Sequence, residues 1–206
     1  MKIITISREF GSGGREIGKR LADELGFDYY DSEIISAVAK KSGLDADYVT
    51  MHLSEHGWQN VPITFRGTIG STAYIQSSKI ELLLAQKRVI EEIAALGKDF
   101  VIVGRNADVI LQEYNPFNIF VCANEESKLR RCKERAPEGE ILTDKQLRRK
   151  MKSIDKTRAK TRVLMTGTSW GERGSYHLTV NTGGWEIKRL VPVIAQFAGL
   201  WFGGQA

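Results

Sequence analysis

Residues 3–18 constrain this chain more than any other stretch. Ile3-Ile4-Thr5-Ile6-Ser7-Arg8 is an apolar run of strand character, Glu9-Phe10-Gly11-Ser12-Gly13-Gly14 is a glycine-rich turn, and Arg15-Glu16-Ile17-Gly18 opens a helix. The helix is read from Ile17, Leu21, Ala22 and Leu25, which recur at helical spacing until Gly26. Glycine lets the backbone turn sharply and approach a ligand without a Cβ in the way. The first N–H groups of the helix then point at whatever lies beyond the turn, and the helix dipole favours an anion there. The same punctuation also serves as a plain strand-to-helix turn with no ligand.

Set against the phosphate-loop pattern G-x-x-x-x-G-K-[ST], Gly14-Arg15-Glu16 falls on G-K-[ST], so Arg15 stands where that loop carries its lysine. Glu9 replaces the first glycine, and neither Glu16 nor Ile17 offers a hydroxyl to Mg²⁺. A dinucleotide pattern G-x-G-x-x-G fits less well. Asp31 ends the next predicted strand, where an acidic ribose ligand belongs, but with Gly11 and Gly13 as the first pair the third glycine falls on Glu16. Its bulk and charge oppose a close pyrophosphate.

Along the rest of the chain apolar runs alternate with helical periodicity. Strands are predicted at residues 2–7, 27–30, 100–103, 117–122 and 176–180. Helices are predicted at 32–43, after an Asp31-Ser32 cap, at 45–55, from about 80 to Gly97, through most of 125–165, and at 185–200. Residues 57–78, a mixture of Gly, Thr, Ser and aromatics, read as a loop or lid. The order predicts an α/β fold: a three-layer, parallel five-stranded sheet with helices on both faces. In such sheets ligands sit beyond the carboxyl ends of the strands. Those ends carry the glycine loop, Asp31-Ser32 and Gly104-Arg105-Asn106.

A chain of 206 residues with 42% hydrophobic content buries one substantial core, so a single domain, 1–206, is expected. Its core falls at about 1–43, 80–127 and 175–206, with a loop region at 44–79 and a basic helical segment at 128–165. The chain opens directly on a strand, with no charged and apolar leader, which reads as a cytoplasmic protein without a membrane partner. The longest apolar stretch, residues 191–202, contains Pro192, Gln196 and Gly199 and reads as a buried C-terminal helix or a contact between copies of the chain. Cys122 and Cys132 lack metal-ligand spacing and are expected as packed free thiols. The net charge of +5 is unevenly spread: fourteen Lys or Arg against five acids lie between Lys128 and Arg162. That run is a solvated helix face, a phosphate-gripping lid or a nucleic-acid surface.

The glycine loop at 11–18, Tyr30-Asp31-Ser32, Gly104-Arg105, the strand Asn118-Ile119-Phe120-Val121 leading to Glu125-Glu126, and Asp155-Lys156-Thr157-Arg158-Ala159 together resemble the cytidylate kinase-like proteins, a branch of the P-loop nucleoside monophosphate kinases. The likeness extends over nearly the whole chain. It implies a P-loop kinase fold with a helical lid over 128–165 and transfer of the γ-phosphoryl group of ATP to a nucleoside monophosphate, with CMP or dCMP first among acceptors. It implies Gly11, Ser12, Gly13, Gly14, Arg15, Glu16 and Arg131 for the donor, Asp31, Ser32, Arg105, Asn106, Asp155 and Arg158 for the acceptor, and Arg15, Arg105, Arg158 and Arg162 as the cations of transfer. ATP is the implied cofactor, with Mg²⁺ accompanying it and no evident protein ligand. An ionised acceptor phosphate needs no strong base, so several guanidinium groups suit this chemistry. The chain departs from the family pattern at Asp31-Ser32-Glu33-Ile34, where the family reads Asp-Ser-Gly-Ala, and at Asn106, where it reads Asp.

Two further readings come from the residues. His52-Leu53-Ser54-Glu55-His56 fits the H-x-x-E-H zinc pattern, or is two solvated histidines beside Gly57. The altered loop and the basic stretch also suit a non-catalytic nucleotide- or RNA-binding protein, or a kinase for a non-nucleotide acceptor, with Trp58, Phe65 and Tyr74 available for stacking or for packing.

Overall fold

A computed structural model describes residues 1–31, 72–136 and 142–204, with side chains described from residue 83 within the first helix after the gap. The chain divides into two compact units, one of Met1–Tyr29 with Lys98–Ala206 and one of Tyr30–Gly97.

The first unit is built on β1 (Ile3–Arg8), β3 (Phe100–Val103), β4 (Phe117–Cys122) and β5 (Leu178–Asn181), and β2 (Asp28–Asp31) begins in it. The sheet is five-stranded and parallel, in the order β2-β3-β1-β4-β5. Central β1 pairs Ile3 with Phe100 and Ile6 with Val103 on one side, and Ile4 with Phe117 and Arg8 with Val121 on the other. Its apolar residues, like those of β3, are buried on both faces, as an inner parallel strand requires. β5 alternates half-buried and exposed residues, the pattern of an edge. It begins two residues later than the sequence predicts because Arg173–Ser175 forms a 3₁₀ turn that ends at Tyr176.

Helix α1 (Gly14–Leu25) ends on Gly26, which takes a left-handed φ of 68° and returns its N–H to Ala22. Ile17 and Leu21 pack with Ile187, Val191, Ile194 and Ala198 of the last helix and with Ile4, Val101 and Ile119 of the sheet. That last helix, Ile187–Gly203, runs through Pro192, which lacks the N–H that would reach the Lys188 carbonyl one turn earlier.

In the second unit α2 (Thr72–Ala95) starts about eight residues before the periodicity predicts. Ser and Thr in residues 72–78 weaken a helix by only tenths of a kcal/mol each, too little to stop one with an apolar face. That face buries Val89, Ile90, Ile93 and Ala94, while Leu84, five residues before Val89, falls off it and is exposed. The predicted helices at 32–43 and 45–55, the H-x-x-E-H motif, Trp58 and Phe65 lie outside the described residues.

Among the described residues the first unit also holds three α-helices between β3 and β5: short α3 (Ala107–Ile110), α4 (Glu125–Glu134) and α5 (Asp144–Thr166). Thr143 and Gln146 form a reciprocal capping box at the start of α5. Leu129 of α4 packs with Leu147 and Met151 of α5, and Phe10 of the glycine loop joins them. With these assignments the last helix is α6. Among the described residues no helix is long and apolar enough to cross a membrane, and Cys122 and Cys132 are half-buried free thiols.

Candidate functional site

The ladder of β1 continues one residue beyond the strand, where Glu9 donates its N–H to Val121 at 2.9 Å. The chain then turns through Gly11 and Gly13, at φ of 77° and 84°, and α1 begins at Gly14. At Gly13 the backbone is left-handed and a Cβ would lie 2.5 Å from Ile187 Cδ1, so a larger residue there is strained and crowds that side chain. It caps α1 without a side-chain hydrogen bond. The first-turn N–H groups of Gly14, Arg15 and Glu16 have no acceptor one turn earlier in the helix, which is the arrangement that binds oxyanions.

The loop is fastened from behind. Ser12 is fully buried, and both its hydroxyl, at 2.9 Å, and its N–H, at 3.3 Å, donate to the Glu9 carbonyl. The Ser12 carbonyl accepts from Thr182 Oγ1 at 2.6 Å and from Arg131 Nη1 at 3.4 Å. Arg131, buried on α4, also donates from Nη1 to Thr182 Oγ1 at 2.9 Å, and from Nη2 to the carbonyls of Thr182 at 2.6 Å and Trp185 at 3.1 Å. Its guanidinium therefore joins the loop to the turn before α6, which is a supporting place behind the cradle. Glu9, read as a defect in the phosphate-loop pattern, closes the other side: its carboxylate accepts from the Ala123 N–H at 3.2 Å and pairs with Lys128 at 2.9 Å.

Arg15 and Glu16 occupy the first turn of α1, both half-buried. The Tyr29 hydroxyl donates to the Arg15 carbonyl at 3.3 Å. Glu16 is held between Arg20 and Arg135. Burial works to raise its pKa, but the hydrogen bonds from these two arginines outweigh it and hold the carboxyl below the ordinary value. A carboxylate so neutralised, at the place of the phosphate-loop hydroxyl, does not fit a divalent-cation ligand. Among the described residues no three His, Cys, Asp or Glu side chains converge on a metal site.

At the carboxyl end of β3, Gly104, Arg105 and Asn106 all take left-handed backbone, at φ of 86°, 58° and 52°. Two consecutive non-glycine residues in that region store strain of order 1–3 kcal/mol each, less for the asparagine, and such strain gathers at functional turns. Asn106 Nδ2 lies 3.1 Å from Met165 Sδ near the end of α5. One turn on, the buried Asp108 Oδ2 accepts from Arg162 Nη1, and Arg162 Nε donates to Thr168 Oγ1 at 3.1 Å. The Arg162 guanidinium, expected on phosphate, is thus engaged in a buried ion pair that ties α5 to the segment after β3.

Asp155 and Arg158, one turn apart on α5, clasp the start of the glycine loop. Asp155 Oδ1 accepts from the Phe10 N–H at 2.9 Å and from Arg158 Nη1 at 2.9 Å, while Arg158 Nη1 also donates to the Arg8 carbonyl at 3.0 Å. Burial raises the Asp155 pKa against these donors, and it lowers that of Arg158 against the pull of Asp155.

The structure thus brings Gly11, Ser12, Gly13, Gly14, Arg15 and Glu16 together with Asp155 and Arg158, and sets Arg105 and Asn106 at the end of the strand beside β1. Asp31 is buried at the end of β2, and Ser32 lies outside the described residues. Sequence reasoning missed Thr182, which no local motif marks, and treated Glu9 only as a lost glycine. Of the basic run, most members are solvated and two arginines, Arg131 and Arg162, are buried.

The fold is that of P-loop kinases. Shikimate kinase from Bacteroides thetaiotaomicron superposes with a TM-score of 0.55 at 13% identity, covering 95% of this chain and 97% of that one. Shikimate kinase from Acinetobacter baumannii in complex with shikimate gives 0.51 at 14% identity, covering 96% and 92%. An uncharacterized protein from Eubacterium ventriosum ATCC 27560 gives 0.71 at 24% identity, covering 97% and 99%. A comparison with curated proteins gives no match. The sequence itself matches the cytidylate kinase-like family over residues 3–184, which with the fold supports a kinase of nucleotides or other small molecules. The chain belongs to the cytidylate kinase-like family.

Proposed function

We propose that this protein transfers the γ-phosphoryl group of ATP to a nucleoside monophosphate, CMP or dCMP before others. The observation that carries the reading is the clasp of Asp155 and Arg158 on Phe10 and Arg8, because it joins the element expected to read the acceptor to the loop expected to hold the donor. Arg15 and the N–H groups of Gly14, Arg15 and Glu16 bind the donor phosphates. Arg105, raised out of the helix by its left-handed backbone, and Arg158 bind the acceptor phosphate. Arg131 and Arg162 position these parts through the contacts described above. A bound Mg²⁺ would supply neutralisation of phosphate charge, and none of the described residues is assigned to hold it. The protein's own contribution is to hold the two phosphates in line and surround them with guanidinium groups.

The test is ADP production from Mg-ATP across a panel of nucleoside monophosphates, with Arg15→Ala and Arg105→Ala beside the wild type. Turnover on CMP, dCMP or UMP that both substitutions abolish is the expected result. No turnover on any acceptor, with binding that falls steeply with salt and is weakly displaced by mononucleotides, would overturn it in favour of a nucleic-acid-binding protein.

A further inference from the structure

Arg8, the last residue of β1, is the side chain around which two elements make room. A Cβ on Gly14, the first residue of α1, would fall 2.6 Å from Arg8 Cβ and 3.0 Å from its Cγ. A Cβ on Gly104, at the end of β3, would fall 1.8 Å from Arg8 Nη1 and 2.7 Å from its Cζ. The stem therefore lies on the start of the helix expected to bind the donor, and the guanidinium on the strained turn that presents Arg105 and Asn106. Any residue larger than glycine at either place overlaps it. The backbone of Arg8 is fixed as well, since β1 pairs it with Val121 and its carbonyl accepts from Arg158.

Burial separates Arg8 from the arginines that only support the frame. Arg131 and Arg162 are almost fully buried, whereas Arg8 keeps part of its surface in solvent. Its stem lies on the donor loop and its head on the acceptor turn, and on the phosphoryl-transfer reading the transferred group passes between those two elements. The loop also lacks the hydroxyl that would bring a cation to that group, because Glu16 fills the position and is itself paired with two arginines.

We propose that Arg8 binds the γ-phosphoryl group of the donor and holds it in line with the acceptor; this rests on the phosphoryl-transfer reading above. In the step, an ionised acceptor phosphate oxygen forms a bond to the γ-phosphorus as the bond from that phosphorus to the β,γ-bridging oxygen breaks. The electron pair stays with ADP. Arg8 neither gives nor takes a proton: its planar donors follow the charge on the equatorial oxygens.

Calorimetric titration of the full chain with ATP and with ADP tests this, for wild type, Arg8→Ala and Gly104→Ala. The second substitution leaves Arg8 in the chain but drives its guanidinium away with a methyl group, so it keeps the test open if Arg8→Ala does not fold. Both variants are expected to weaken ATP binding about 10- to 100-fold, the usual worth of a charge-assisted hydrogen bond, and to leave ADP binding within about 3-fold. Equal weakening of ATP and ADP, or no change in either, would overturn the role of Arg8 and leave the kinase reading standing. Wild-type protein that binds neither nucleotide would overturn the kinase reading, and this inference with it.

Discussion

The ion pair of Asp108 and Arg162 gives the sharpest test of whether these arginines support the frame or the ligand. The two side chains are 3% and 4% exposed. Arg162→Met leaves a buried carboxylate whose Oδ2 has lost its donor and whose Oδ1 makes no hydrogen bond. Removing one partner of such a pair costs about 3–5 kcal/mol, most of it the desolvation of the charge left behind. Asp108→Leu strands the guanidinium in the same way, relieved only by Thr168. The double variant is a different case. Thr168 keeps its partner Thr166 at 2.7 Å, no acceptor is orphaned, and two charges are exchanged for apolar groups, so the change falls within about 1 kcal/mol of wild type or is stabilising.

Urea unfolding followed by tryptophan fluorescence reads this directly. With a slope of about 2–3 kcal/mol per molar for a chain of this size, each single variant lowers the midpoint by at least about 1 M, and the double variant restores most of it. The coupling between the two sites is then several kcal/mol. The reasoning is refuted if Arg162→Met moves the midpoint by less than about 0.3 M while abolishing ATP or CMP binding. That result would return Arg162 to the phosphates, as the family resemblance implies.

Three further outcomes are expected. Thr182→Val removes the hydroxyl between Ser12 and Arg131 and should cost about 1–3 kcal/mol, with weaker ATP binding; a melting curve and nucleotide titration equal to wild type would detach Thr182 from the loop. Gly18→Ala places a Cβ 2.6 Å from Val103 Cγ2, between α1 and β3, and should cost about 1–3 kcal/mol, or several degrees in melting temperature, which a thermal scan would check. His177 stacks on Trp201 at 3.9 Å and accepts from the Asn118 N–H, and burial lowers its pKa from the ordinary 6.5. The folded state then binds fewer protons than the unfolded one, so stability is lost as pH falls through 6.5 toward the folded value. Unfolding midpoints between pH 7.5 and 5.5 should fall less steeply in His177→Phe, and equal slopes would count against the assignment.

The strands and the cradle are legible in the sequence because each is a local pattern. β3 is an unbroken apolar run, and β1 and β4 are apolar runs interrupted by Thr5 and Ser7 and by Asn118, as strands largely covered on both faces must be, while Gly11, Gly13 and Gly14 mark a turn that few other residues can make. Arginines carry no such mark. Arg105 stands in left-handed backbone before α3 begins, and Asp108 pairs with Arg162, 54 residues on. Arg131 meets Thr182 across 51 residues, and Arg158 meets the Arg8 carbonyl across 150. What decides the work of each guanidinium is therefore its depth in the fold, a tertiary property. Arg131 and Arg162, withdrawn from water, can offer an incoming phosphate only by breaking bonds that hold the loop and α5. Arg8, Arg15, Arg105 and Arg158 are half-buried, and such positions combine a low local dielectric with access from outside. A phosphate is bound most strongly under those two conditions together, so the rim arginines should govern nucleotide affinity and the buried ones stability.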